Sequence, residues 1–258
     1  MILEEKKTAL ITGATSGIGE AFARRFGKDG YNLIITGRRK DKINNLADEL
    51  TKKFGINVQV FTTELSNTNE VDLLIKNINI NILVNNAGFA TKDVFVNEDL
   101  NIQQQMVNVH IMCPMKLIHS ILPKMIDQGN GTIINVSSLS AFLIIPKNAT
   151  YSGTKAFLKA FSESLHLELI NTGVKLQILC PGFVKTNFHE KIGIFKSKQK
   201  NRGIIRWMSP EKVVDISLDE LKRDKLICKP GFFENLGLNM LTLLPKTIYY
   251  KIANNFSK

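Results

Sequence analysis

Short apolar runs recur near residues 8–12, 32–36, 57–61, 80–84, 132–137, 174–179 and 225–228, and longer amphipathic stretches separate them. Most of these runs are rich in Val, Ile, Leu and Thr and carry no polar alternation, as expected of strands buried on both faces. The stretches between them repeat apolar residues at helical spacing, as Ala21, Phe22 and Phe26 do after the first run. One long helix is predicted from about Asp99 to Met125, and Ser209-Pro210-Glu211 reads as a helix start. Strands alternating with helices predict an α/β chain whose parallel sheet is covered on both faces. The 258 residues contain no repeat, low-complexity tract or Pro/Gly/Ser-rich linker, so one domain spanning residues 1–258 is expected.

The first strand, Thr8-Ala9-Leu10-Ile11-Thr12, runs directly into Gly13-Ala14-Thr15-Ser16-Gly17-Ile18-Gly19 and then into a helix. In that setting Gly13 turns tightly, Gly17 lets the backbone approach a pyrophosphate and Gly19 allows close helix–sheet packing. The new helix offers unpaired N–H groups and the positive end of its dipole to the anion. The second strand ends in Gly37-Arg38-Arg39, where a site for NAD tends to place a carboxylate for the ribose 2′-hydroxyl. Two guanidinium groups there match a 2′-phosphate, so NADP(H) is predicted over NAD. A solvated basic turn is the alternative.

Tyr151 and Lys155 lie four residues apart, which puts both side chains on one face if the stretch is helical. A free phenol has a pKa of about 10, and a nearby ammonium is expected to lower it toward the working range. Ser138 follows the run from Thr132 to Ser137 and is placed to hydrogen-bond a carbonyl oxygen. Such a group of side chains moves a proton alongside a hydride.

With these motifs in order, the chain resembles the short-chain dehydrogenase/reductase family of single-domain type. The resemblance runs from about Thr8 to Thr186 and rests on the glycine turn, Asn85-Asn86-Ala87-Gly88, Asn108, Ser138, Tyr151 with Lys155, and Pro181-Gly182 followed by Thr186. It implies a Rossmann fold, a doubly wound seven-stranded parallel sheet flanked by helices, with the cofactor at the switch point. It implies Tyr151 as general acid/base, Lys155 as its activator and holder of the nicotinamide ribose, and Ser138 as the carbonyl anchor. Asn108 would anchor a water leading from Lys155 to solvent. Asn86, Ala87 and Gly88 would pass under the adenosine half, while Pro181, Gly182, Val184 and Thr186 would border the nicotinamide and phosphates. Thr15, Ser16 and Ile18 complete the expected glycine-turn contacts.

One position departs from the family pattern. Where an aspartate commonly contacts adenine, this chain has Glu64-Leu65, which keeps an acceptor on a longer arm. Ser16 stands where some NADP-using relatives carry a base, so NADP preference is expected to rest mainly on Arg38, helped by Arg39 and Ser16.

Cys113, Cys180 and Cys228 are too dispersed for a metal cluster, and no metal is expected; His110 and His166 read as packing or surface residues. Free thiols and the lack of an export signal point to the cytoplasm. The formal net charge of +11 is spread along the chain without a recognition motif for nucleic acid. No nucleic-acid partner is expected, and the partner is a small carbonyl or alcohol compound.

Residues 188–208 occupy the position of a substrate lid, with Phe188, Ile192, Ile194, Phe195, Ile204, Ile205 and Trp207 as apolar content. A lid and a packed pair of helices are both open readings. An apolar C-terminal extension from about 230 to 258 is too interrupted for a transmembrane span. Subunit contact, lid packing and peripheral membrane contact are open for it, with packing or a homo-oligomer (dimer or tetramer) favoured. The functional expectation is an NADP-dependent oxidoreductase interconverting a ketone or aldehyde and an alcohol. The alternative is an NADP-binding regulatory protein without turnover.

Overall fold

The apolar runs become strands of one parallel sheet in a computed structural model, which describes residues 6–255 except Asn77, Ile145, 192–196, Lys198, 202–205 and 232–243. The strands are β1 (Thr8–Ile11), β2 (Asn32–Thr36), β3 (Val58–Phe61), β4 (Ile82–Asn85), β5 (Gly131–Val136), β6 (Val174–Leu179) and β7 (Ile227–Cys228). Their order across the sheet is β3-β2-β1-β4-β5-β6-β7. The chain winds outward from β1 to β3, then crosses back to lay β4 on the other side of β1. That reversal opens a crevice at the carboxyl ends of β1 and β4, where ligands bind in doubly wound sheets.

Both faces of the sheet are buried, which explains the unbroken apolar runs. Ala9, Ile11, Leu33, Ile35, Val84 and Ile134 face one core with Phe22 and Phe26 of α1 (Gly17–Lys28), Ile43 of α2 (Lys40–Phe54) and Val213. Leu10, Ile34, Leu83 and Ile133 face the other, against helix α3 (Thr68–Ile75) and the long helices that follow β4 and β5. The fourth strand starts at Ile82 rather than Ile80 because Asn81 is committed to the end of β1. Its side-chain carbonyl accepts from Thr8 N at 2.8 Å, and its own N–H donates to Thr8 O at 2.8 Å.

The helix expected over 99–125 is continuous but not uniform. It comprises α4 (Leu100–Val107), a π-helical turn over Asn108–Met112, and α5 (Cys113–Asp127). Within the turn Cys113 N bonds Asn108 O, five residues back. Pro114 follows and has no N–H to give to His110 O, so the ladder widens just before it. Helix α6 (Ala149–Glu168) carries Tyr151 and Lys155 in its first two turns. After β6 come α7 (Asn187–Lys191), α8 (Pro210–Lys222) and α9 (Lys246–Asn255). Ser209 caps α8 by accepting from Lys212 N, as its sequence predicts. No helix among the described residues is long and apolar enough to cross a membrane.

Candidate active site

The crevice at the carboxyl end of the sheet is a cavity of about 690 Å³. That lies within the range of about 300–1,000 Å³ typical of small-molecule sites. One end is the turn between β1 and α1. Gly17 has φ +62, and a Cβ built there would lie 2.9 Å from Thr186 Cγ2, so only glycine fits without strain. Asn86 holds the turn from beneath, donating from Nδ2 to Thr12 O at 2.9 Å and to Gly13 O at 3.2 Å.

The start of α1 lacks the usual side-chain cap. Ser16 is its N-cap, yet its hydroxyl makes no bond to the helix. It accepts instead from Arg39 Nη2 at 2.9 Å, and the same nitrogen reaches Thr15 Oγ1 at 2.8 Å and Thr15 O at 3.0 Å. First-turn N–H groups left uncapped at a cavity wall fit the pyrophosphate of a dinucleotide. Arg38 stands outside this knot with its side chain 56% exposed, 3.3 Å from Glu64 Oε2. Glu64 also accepts from the Ser66 hydroxyl at 3.1 Å, so its carboxylate is shared between Ser66 and Arg38.

Thr15, Ser16, Ile18, Arg38, Arg39, Glu64, Leu65, Asn86, Ala87, Gly88, Pro181, Gly182, Val184 and Thr186 all line the cavity, as Gly13 and Gly17 do. Gly19 does not; it is buried behind the wall. Asn108 is not brought to the wall either. Its amide Nδ2 donates to Ser66 O at 3.2 Å, and its neighbour Val109 lines the cavity.

At the other end the cavity brings together Ser138, Tyr151 and Lys155. Ser138 follows β5 and begins a 3-10 turn over Leu139–Ala141, its Oγ accepting from Ser140 N at 3.1 Å. Lys155 is buried, and its Nζ donates to Val136 O at 2.9 Å and sits 5.8 Å from the Tyr151 ring centroid. Ser137 Oγ donates to Lys155 O at 2.9 Å, pinning this turn of α6 to the end of β5.

The phenol does not behave as its spacing from lysine suggests. Burial pushes the Tyr151 pKa up to about 12, opposed only in part by a hydrogen bond from Ser138. Burial also brings Lys155 down from 10.5 to about 8. Loss of water around the phenol, and not the nearby ammonium, therefore sets its pKa, against the expectation from spacing. At neutral pH Tyr151 is a phenol with a proton to give, and Lys155 is mainly cationic.

Several wall residues escaped the sequence reading. Phe89, Leu139, Leu143, Asn148 and Phe183 line the cavity, each within a few residues of a recognised motif position. Phe188, expected among the lid residues, lines it too, 5.8 Å ring to ring from Tyr151. Trp207 is buried 5.2 Å from the Phe183 ring, which is packing behind the wall. Ile192, Ile194, Phe195, Ile204 and Ile205 of the expected lid, and the apolar stretch 232–243, lie outside the described residues. Of the two readings of His110, packing holds and surface does not: it is buried with both ring nitrogens engaged.

A doubly wound sheet, an uncapped glycine turn and a Ser, Tyr and Lys set in one crevice define a nucleotide-dependent oxidoreductase. The chain belongs to the short-chain dehydrogenase/reductase family, whose short chain dehydrogenase model matches residues 7–196. It is thus an oxidoreductase of a family that uses nicotinamide cofactors. It is 34% identical over 185 residues to an uncharacterized oxidoreductase of Staphylococcus aureus, covering 70% of this chain and 79% of that one. It is 29% identical over 257 residues to the very-long-chain 3-oxoacyl-CoA reductase of Homo sapiens, covering 97% of this chain and 79% of that one. Among solved structures, a short-chain dehydrogenase from Sphingobium yanoikuyae in complex with NADPH superposes with a TM-score of 0.81 at 26% identity, covering 93% and 96% of the two chains. A bulky-bulky ketone specific alcohol dehydrogenase from Comamonas testosteroni gives 0.78 at 25%, covering 93% and 95%.

Proposed function

We propose that the protein is an NADP(H)-dependent reductase of a bulky, largely apolar ketone or aldehyde, running to the alcohol with Tyr151 as proton donor. The observation that carries this is the Tyr151 phenol, brought together with Ser138 and buried Lys155 in the crevice that also holds the glycine turn. NADP(H) fits the residues present. The uncapped start of α1 would receive its pyrophosphate, and Arg38 and Arg39 its 2′-phosphate. Glu64 and Leu65 would border adenine, Asn86 to Gly88 the adenosine half, and Pro181 to Thr186 the nicotinamide.

Bound there, the reduced cofactor supplies a hydride to a carbonyl carbon. Ser138 and Tyr151 hydrogen-bond the carbonyl oxygen and draw charge onto it. Tyr151 then transfers its proton to the forming alkoxide, and the Lys155 ammonium stabilises the phenolate left behind. Lys155 also has donors for the ribose hydroxyls. Phe89, Leu139, Leu143, Phe183 and Phe188 exclude water around the oxygen.

The substrate class rests on that wall and on the human relative, which aligns along nearly the whole chain and is named for a 3-oxoacyl thioester. A 3-oxoacyl thioester or a lipid ketone is the favoured substrate. The same reading includes a single domain, a homo-oligomer and a cytoplasmic location. The test is loss of NADPH absorbance with a panel of 3-oxoacyl thioesters and bulky ketones. Tyr151→Phe should lower kcat by about 10²–10⁴-fold. A Tyr151→Phe enzyme as fast as wild type removes the mechanism. A protein that binds NADPH tightly yet reduces nothing is the regulator instead.

A further inference from the structure

His110 is a buried titratable group for which the proposed chemistry has no use. It sits in the π-helical turn before Pro114 and is 1% exposed. Phe89 N donates to its Nε2 at 3.1 Å, and its Nδ1 lies 2.9 Å from Thr154 Oγ1. Thr154 Oγ1 in turn donates to Tyr151 O at 2.9 Å.

These bonds have only one consistent direction. A backbone N–H can only donate, so Nε2 carries the lone pair and the proton of the neutral ring is on Nδ1. Nδ1–H then donates to Thr154 Oγ1, whose own proton serves the Tyr151 carbonyl. Every donor in the chain is used once. A second ring proton would break the bond to Phe89, and burial together with the charge of Lys155 disfavours it.

Packing repeats the same link. The imidazole meets the Tyr151 ring edge-on, at 5.7 Å and 78°, and the Phe89 ring at 5.9 Å and 62°. A Cβ built on Gly88 would lie 2.9 Å from His110 Nε2 and 3.6 Å from Lys155 Nζ. The imidazole and the ammonium both crowd the Gly88 position, which leaves no room there for a side chain.

We propose that His110 is a positioning residue: its neutral ring ties the Gly88–Phe89 loop to Thr154, and so fixes the Tyr151 turn of α6 against the floor of the cavity. The proposal rests on the reading of Tyr151 as the proton donor. Its effect is on alignment, since His110 touches no reacting atom, and a misplacement of about 1 Å at such a site costs about 10²-fold in rate.

Two measurements test it. Nitrogen-15 NMR of the wild-type imidazole should show a ring protonated at Nδ1 that does not titrate between about pH 5.5 and 8. An Nε2-protonated or ordinarily titrating ring overturns the bridge, and this readout stands even if the protein reduces no carbonyl and the proposed function fails. In kinetics, His110→Leu should lower kcat by about 10–100-fold with substrate KM within about threefold. His110→Gln restores an acceptor for Phe89 N–H and a donor for Thr154, and should recover to within about fivefold of wild type. Wild-type kcat in the leucine variant, or equal losses in both variants at matched thermal midpoints, overturns the proposal. Should the leucine variant not fold, Thr154→Val removes the hydroxyl link at constant shape. A fall in its kcat supports the positioning role, and an unchanged kcat sinks it.

Discussion

The Tyr249 hydroxyl accepts from Ile144 N at 2.6 Å and donates to Ile144 O at 2.7 Å. Tyr249 is in α9 and Ile144 is in the loop between Ser138 and Tyr151, so the C-terminal helix holds the segment that joins two candidate catalytic residues. Leu139, Leu143 and Asn148 of the same segment line the cavity. Tyr249→Phe removes both bonds while keeping the ring. It should raise KM for the carbonyl substrate by about 3–10-fold and leave NADPH affinity unchanged. The stability cost should stay near about 1 kcal/mol, because water can serve the exposed backbone of Ile144. Steady-state kinetics with each substrate varied, beside NADPH titration of the free protein, checks this; an unaltered carbonyl KM refutes it.

Lys155 sets a pH limit on reduction. Its pKa, brought down to about 8 by burial, means the ammonium is intact below that value and lost above it. In the proposed reaction, reduction leaves a phenolate on Tyr151 that the ammonium must stabilise. The kcat/KM for reduction should therefore be flat below about pH 8 and fall above it, since that ratio reports groups of the free enzyme. The stability effect has the opposite sign. Between about 8 and 10.5 the unfolded chain binds the extra proton, so this group's contribution to stability rises with pH across that window. Lys155→Met should abolish both the kinetic break and this part of the stability slope. A wild-type profile flat to pH 10 contradicts the assignment.

How much of this was legible in the sequence depends on the range of the interactions. The strands were, because burial on both faces writes unbroken runs such as Leu33-Ile34-Ile35. The glycine turn and the Tyr151, Lys155 and Ser138 set were legible because their spacing is fixed by one strand or helix. Depth was not. Spacing puts an ammonium near the phenol but does not report the burial that lifts Tyr151 and lowers Lys155. The π-helical turn leaves apolar periodicity almost unchanged, and only Pro114 hints at it. The bonds of His110 and Tyr249 were not legible for a common reason: their partners Phe89, Thr154 and Ile144 are brought to them by tertiary folding, 21, 44 and 105 residues away in the chain.

In the proposed function, cofactor preference turns on Arg38. Its guanidinium is exposed at the cavity beside Glu64, while Arg39 is spent largely on Thr15 and Ser16. Arg38→Asp places a second carboxylate next to Glu64, which repels a 2′-phosphate and offers an acceptor to a 2′-hydroxyl. NADPH affinity should fall by about 10²-fold and NADH affinity should hold or rise, a shift of about 3 kcal/mol in preference. Fluorescence titration with both cofactors measures it. Equal affinity of the native protein for the two cofactors removes the premise.

Ser162 ties α6 to the sheet from below. Its hydroxyl accepts from Asn135 Nδ2 at 2.8 Å and donates to Leu158 O at 2.6 Å, and Asn135 Oδ1 accepts from Asn85 Nδ2 at 2.8 Å. This buried chain joins β4, β5 and α6 where water does not reach. Ser162→Ala changes volume little but leaves an Asn135 N–H without a partner, which costs about 1–3 kcal/mol. Urea unfolding should show that loss as a lower midpoint at unchanged slope. Tyr151 and Lys155 lie about three and two turns nearer the start of α6, each held by its own contacts. Turnover at saturating ligands should therefore stay within about twofold of wild type. A large fall in kcat with no loss of stability would show instead that Ser162 acts on the site, through Asn135 and the end of β5 that carries Ser138.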